Sequence, residues 1–344
     1  MKQKKIIKYC PFLLMLFFIS CGILKDKKAD YVNNEKVIVA YVTSWSSVIP
    51  ETAYITHINY AFGHVNDTFD GVRVDNEARL KRIIELKKQK PELKILLSIG
   101  GWGSGRFSEM AANEANRENF AVDCKRIVDK FGLDGIDIDW EYPTADMAGI
   151  SASPDDKQNY SLLMQELRKV LENELLLTMA SAADTRYYNF KDFVDYVDFI
   201  NIMTYDMGSP PYHHSALYPS EFTRNSGDES VKAHIAAGVP VEKLVYGIPF
   251  YGRGKRDVMR FTNYRDIVEN KSFVEKWDDV AKVPYLVNDS TETVCVYDNP
   301  LSISIKCNYI IEKQLRGAMY WDYAGDDDAG TLQKTIWKIL VENQ

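Results

Sequence analysis

A chain of 344 residues has room for one large domain or two modest ones, and 46% hydrophobic residues supply a sizeable core. The net charge of −7, with no basic cluster, argues against a nucleic-acid partner and suits a neutral or weakly cationic ligand. Aromatics reach 12%, with 21 Tyr and 6 Trp; most are expected in the core, and their abundance leans slightly towards a binding cleft.

The first residues read as a targeting segment. Lys2, Lys4, Lys5 and Lys8 precede the apolar run Phe12 to Ile19, which is too short to span a bilayer and suits a signal peptide over 1–20. The stretch Phe18-Ile19-Ser20-Cys21-Gly22 resembles a bacterial lipoprotein box, although Phe18 stands where Leu is usual. By that resemblance Cys21 carries a lipid and the protein sits in the cell envelope, touching a membrane through the lipid only; plain secretion is the alternative. Losing 1–20 removes four lysines and no acids, so the charge moves from −7 to −11. A polar tether over 21–34 follows, ahead of the folded region 35–344.

Eight short apolar runs then recur: Val37–Val42, Ile58–Phe62, Ile95–Ile99, Gly135–Asp139, Leu175–Ala180, Phe199–Thr204, Leu244–Pro249 and Ala318–Trp321. The segments between them are expected to be helical, as in Leu80-Ile83-Ile84-Leu86 and Leu162-Leu163-Leu167-Val170-Leu171. Strand and helix alternating eight times predict an α/β fold, a (β/α)8 barrel with its site at the C-terminal ends of the strands. About 70 residues between the seventh and eighth runs predict a small α+β lobe over about 254–295 beside the cleft. The last helix is expected over Leu332 to Leu340, with no appended module.

The richest stretch is Phe131-Gly132-Leu133-Asp134-Gly135-Ile136-Asp137-Ile138-Asp139-Trp140-Glu141-Tyr142-Pro143. Alternate strand residues share a face, so Asp137, Asp139 and Glu141 point into the barrel while Ile136, Ile138 and Trp140 face the helices. Three carboxylates in a row are costly unless they share protons or meet a cation. Magnesium is the rival use, but no Gly-rich phosphate loop or Lys/Arg cluster accompanies the row. Glycosidic cleavage needs a carboxylic acid still protonated near neutral pH, and neighbouring negative charge provides it. Glu141, nearest the strand's end, is therefore the expected general acid.

The run Asp134 to Pro143 resembles the signature of glycoside hydrolase family 18, the chitinases. So do Ser98-Ile99-Gly100-Gly101-Trp102, Met203-Thr204-Tyr205-Asp206, Gly238-Val239-Pro240 with Gly247 to Arg253, and Gly317-Ala318-Met319-Tyr320-Trp321. The resemblance implies a retaining mechanism in which the substrate's own acetamido group is the nucleophile. Glu141 would protonate the leaving oxygen and later activate water, Asp139 would orient the acetamide, and Asp137 would hold Asp139. Tyr205 would bond the acetamido oxygen, Asp206 would contact the sugar, and Trp321 would floor the cleft. Tyr41, Phe62, Trp102, Tyr251 and Arg253 would supply walls and contacts, with Ser98 in the acid network. No cofactor and no metal are implied.

The implied substrate is chitin or its oligosaccharides. A lobe shorter than in deep-clefted relatives favours soluble chains over processive attack on crystals. Two alternatives stand beside it: an endo-β-N-acetylglucosaminidase acting on the chitobiose core of N-glycans, and a non-catalytic chitin-binding lectin. The lectin is disfavoured because Asp137, Asp139, Glu141 and Tyr205 are all present. A monomer is expected. His213-His214 read as a solvated loop, Cys124 as a buried thiol, and Cys295 and Cys307 as either paired or free.

Overall fold

The computed structural model describes residues 36–255 and 258–343. The signal segment 1–20, the tether 21–34 and the lipidation site Cys21 lie outside the described residues.

Eight parallel strands close on themselves: Val37–Thr43, His57–Val65, Lys94–Gly100, Gly135–Asp139, Leu176–Ala182, Phe199–Met203, Leu244–Pro249 and Gly317–Trp321. The first pairs with both the second (Val39 opposite His57) and the eighth (Val37 opposite Gly317), which completes the barrel. The eight expected runs are these eight strands, within two residues at most ends.

Period-two alternation decides where each side chain goes. On the first strand Val37, Val39 and Tyr41 pack inside the barrel with Phe199, Val245 and Met319. Ile38, Ala40 and Val42 pack outward under the helices with Ile58, Ile95 and Ile136. Helices Glu77–Ile84, Phe107–Ala112, Glu114–Phe131, Asp156–Leu171, Gly227–Ala236, Pro300–Glu312 and Thr331–Trp337 form most of the outer layer. Pro300–Glu312 starts on a capping box, in which the Asn299 side chain accepts from Ser302 N while Ser302 Oγ accepts from Asn299 N, with Pro300 in the first turn.

The first connection departs from the expected repeat. Only a 3-10 turn, Thr52–Tyr54, lies between the first two strands, because Pro50 and the β-branched residues of 44–56 offer no helical face. Buried Arg79 pins this loop instead, donating from Nε to Thr43 O (2.8 Å) and from Nη2 to Val48 O (2.7 Å).

After the seventh strand comes the lobe, a five-stranded antiparallel sheet. Its order is Val258–Asn263, Tyr251–Lys255, Thr293–Val296, Val283–Val287, Val274–Asp278, with a helix at Tyr264–Glu269. Tyr251 and Arg253 therefore stand on the lobe's own sheet. Cys124, Cys295 and Cys307 are separate buried thiols. Burial alone pushes the Cys295 thiol up to about 12, so it is inert as a nucleophile. Among the described residues no helix is long and apolar enough to cross a membrane.

Candidate active site

A cleft of about 1490 Å³ opens at the C-terminal ends of the barrel strands. Asp139, Glu141, Tyr205, Asp206, Tyr41, Phe62, Trp102, Tyr251, Arg253 and Trp321 all line it. Asp137 and Ser98, both fully buried, lie beneath. The predicted two-faced strand is present: Trp140 is buried on the outer side, stacked on Phe107 with ring centroids 5.3 Å apart.

Asp137 sits at the centre of a saturated network. Its Oδ2 accepts from Tyr41 Oη and Ser98 Oγ, each at 2.8 Å, and its Oδ1 accepts from Thr178 Oγ1 at 2.6 Å and Asn201 Nδ2 at 3.3 Å. Strand register builds this arrangement, for Ser98, Asp137 and Thr178 lie side by side on three neighbouring strands. Burial raises the Asp137 carboxyl, and the four donors oppose the rise.

Asp139 has no such support. It is buried, and its Oδ1 has no hydrogen-bond partner among the described residues. Burial first, then the charges of Glu141 and Asp137, hold its carboxyl well above the usual carboxylate range. Among the described residues no Asp137 hydrogen bond reaches Asp139 to hold it as expected, since each goes to another strand, and what Asp139 feels from Asp137 is like-charge repulsion. Gly100 and Gly101 explain how the third strand approaches so closely. Gly101 N donates to Asp139 O at 2.9 Å. A Cβ on Gly100, at φ +130°, would lie 2.0 Å from that same oxygen, and one on Gly101, at φ +91°, would strike the Phe62 ring at 2.6 Å.

Glu141 lies two residues beyond the strand end, partly exposed to the cleft. Burial pushes its carboxyl up to about 7, aided by the charge of Asp206 and opposed by a hydrogen bond with Tyr142. Tyr205 is buried beside the acids, with its hydroxyl 3.8 Å from Met319 Sδ. Burial and then the charges of Asp139 and Glu141 keep that phenol protonated, so it is available as a donor.

Asp206 turns the chain at φ +57°. It accepts from Tyr251 Oη at 2.8 Å and from Arg253 Nε at 2.6 Å, with Arg253 Nη2 on its other oxygen. Burial works to raise its carboxyl, but His214 and Arg253 outweigh it and hold Asp206 far below the usual range. One face of the cleft thus holds a firmly ionised carboxylate, while Asp137, Asp139 and Glu141, on and just past the fourth strand, are all pushed the other way. A carboxyl kept protonated on the cleft wall is what a proton donor needs.

The aromatic floor is continuous. Trp321 stacks on Phe62 at 5.6 Å and meets Tyr41 at 5.7 Å. Trp102 is 61% exposed at the rim and meets Tyr142 edge-on at 6.4 Å.

Sequence reasoning missed Trp45, which is 66% exposed in the loop held by Arg79 and lines the cleft near Phe62 and Trp321. An aromatic without periodicity, two residues past a strand end, was its only signal. The histidines need correction. His213 and His214 are not solvated but buried: His213 Nε2 meets Asp278 Oδ2 of the lobe at 3.0 Å, and His214 Nδ1 stands 3.6 Å from Asp206 Oδ1. Among the described residues no group of three or more His, Cys, Asp or Glu is arranged to hold a metal ion.

Comparison with known proteins agrees with this geometry. The profile described as "Glycosyl hydrolases family 18" matches residues 37–326. "Chitinase A1" of Niallia circulans is 35% identical over 78% of this chain and 45% of its own length. "Probable chitinase 2" of Drosophila melanogaster is 32% identical over 87% of this chain and 74% of its own. Thus the chain spans less than half of the first relative and about three quarters of the second. The solved structure of a family 18 N-acetylglucosaminidase from Paenibacillus barengoltzii superposes with a TM-score of 0.81 at 36% identity, over 89% of this chain and all of that one. The chain belongs to glycosyl hydrolase family 18, as a (β/α)8-barrel glycoside hydrolase of the chitinase type.

Proposed function

We propose that the protein hydrolyses β-1,4 bonds between N-acetylglucosamine residues, in chitin or chitooligosaccharides, by a retaining and substrate-assisted mechanism. The observation that carries this is the paired state of Glu141 and Asp139: a carboxyl raised to about 7 on the cleft wall, next to a buried carboxyl with a free oxygen. Near neutral pH Glu141 holds a proton to give to the glycosidic oxygen. As that bond breaks, the acetamido oxygen attacks the anomeric carbon from the opposite face and closes a cationic oxazoline ring. Asp139 accepts a hydrogen bond from the acetamide N–H on its free oxygen and so stabilises the cation, while Tyr205 donates to the acetamido oxygen. Glu141, now a carboxylate, removes a proton from water as the water opens the ring, which regenerates the acid and restores the original anomeric configuration.

The exposed indoles of Trp45 and Trp102, with the Trp321 floor between the cleft walls, supply faces for stacking pyranose rings. The relatives named as chitinases and as an N-acetylglucosaminidase support the same bond type. We also read the protein as lipid-anchored at Cys21 on the pattern of Lys2 to Gly22; the mass of the N-terminal peptide from membrane fractions tests that. For the chemistry, proton NMR during chitooligosaccharide cleavage should show the β-anomer appearing first. A substrate lacking the acetyl group on the sugar at the cleaved bond should be inert. First appearance of the α-anomer, or cleavage of that de-acetylated substrate, would remove the mechanism.

A further inference from the structure

A second pocket, of about 460 Å³, adjoins the cleft and shares Asp206, Arg253 and Arg260 with it. Among the described residues three guanidinium groups line it, those of Arg224, Arg253 and Arg260. Asp206, its single carboxylate among the described residues, is already engaged by Arg253. Among the described residues neither Arg224 nor Arg260 pairs with a carboxylate. Two of the three are held by aromatic rings. The Arg224 guanidinium stands 4.5 Å over Tyr212, and that of Arg253 stands 5.2 Å over Phe261. Arg253 already spends Nε and Nη2 on Asp206, so the N–H groups left to meet a carboxylate or sulfate are those of Arg224, held over its ring, and of Arg260. Gly208 also lines it, at a close approach of two backbone segments where a Cβ would lie 2.5 Å from His213 O. The cluster is invisible in the sequence because its arginines are far apart in the chain and meet only in the fold. It is an electropositive spot on a protein of net charge −7.

We propose that this pocket is an anion-accepting subsite, which takes a carboxylate or sulfate group carried by an N-acetylhexosamine next to the cleaved bond. The inference rests on reading the cleft as a site for N-acetylglucosamine chains. A hydroxymethyl group would leave most of a 460 Å³ pocket to solvent and brings no charge to its arginines. An acidic substituent fills it and gains charge-assisted hydrogen bonds.

The test is calorimetric titration of the inactive Glu141→Gln protein and of Glu141→Gln carrying Arg224→Gln or Arg224→Lys. The ligands are three pentasaccharides of N-acetylglucosamine: unsubstituted, with 3-O-lactyl carboxylates, and with 6-O-sulfates. In Glu141→Gln one anionic chain should bind about tenfold tighter than the neutral one, an advantage that shrinks as salt is added. Arg224→Gln should bring that ratio to within about twofold while leaving neutral-chain affinity unchanged, and Arg224→Lys should restore part of it. Which substituent gains identifies the source of the anion. Equal binding of all three chains, or a preference that survives Arg224→Gln, would overturn the proposal. If no chain binds, the reading of the cleft fails and the subsite falls with it.

Discussion

Burying the Glu141 carboxyl makes stability fall as pH rises, and the cost can be measured. Its carboxyl is raised from 4.5 to about 7 in the folded protein, so the folded state binds the proton more tightly than the unfolded one. The stability this proton contributes is complete below about pH 4.5 and is lost as pH rises through about 7. A rise of roughly 2.5 units at 1.36 kcal/mol each gives about 3 kcal/mol of destabilisation above neutral pH. Glu141→Gln removes the titration and relieves the charge that raises Asp139. Its advantage over the parent should therefore be near zero at about pH 4.5 and grow to about 3 kcal/mol by about pH 8. For a domain of this size that is roughly 5 °C in Tm. Thermal melts of both proteins across that range, with urea unfolding at the two ends, give the difference directly. A gap between them that does not change with pH would refute the argument, because it would mean that folding leaves the Glu141 carboxyl as acidic as in the unfolded chain.

Three further outcomes follow from the same geometry. In wild-type protein kcat/KM should fall about tenfold per pH unit above about pH 7, as Glu141 loses its proton; a profile flat to about pH 9 would exclude it as the acid. Trp102→Ala should raise KM for long oligosaccharides about tenfold with kcat nearly intact, since an exposed indole offers roughly 1.5 kcal/mol of stacking; steady-state kinetics on chains of different length check this. Lys306 and Asp298 form a buried ion pair at 2.6 Å, and Ser215 of the loop after the sixth strand donates to Asp298. Lys306→Met should cost about 3–5 kcal/mol in urea unfolding by stranding the aspartate, and adding Asp298→Asn should recover much of it.

What could be read from the sequence was what depends on local periodicity. The inward row Asp137, Asp139, Glu141 and the outward Trp140 needed only strand alternation, and the eight apolar runs needed only counting. What escaped depends on register and on covering. Thr178 and Asn201, which complete the Asp137 network, stand on strands whose stagger no single segment reveals. His213 and His214 looked solvated because polar loops usually are, yet the lobe closes over them through Asp278. The first loop, without helical periodicity, is placed by Arg79 from a helix some 30 residues away. Trp45 rides on that loop, so its place in the cleft was beyond local reasoning.

The central claim is that Glu141 is the proton donor for cleavage between N-acetylglucosamine residues. The most direct test is mass spectrometry of the products when purified protein is offered chitohexaose and a high-mannose glycoprotein in parallel, with Glu141→Gln as control. The account predicts shortened chitin oligomers that vanish with the Gln variant, and no released N-glycans. Released N-glycans without oligomer cleavage would contradict the substrate, and undiminished cleavage by Glu141→Gln would contradict the mechanism.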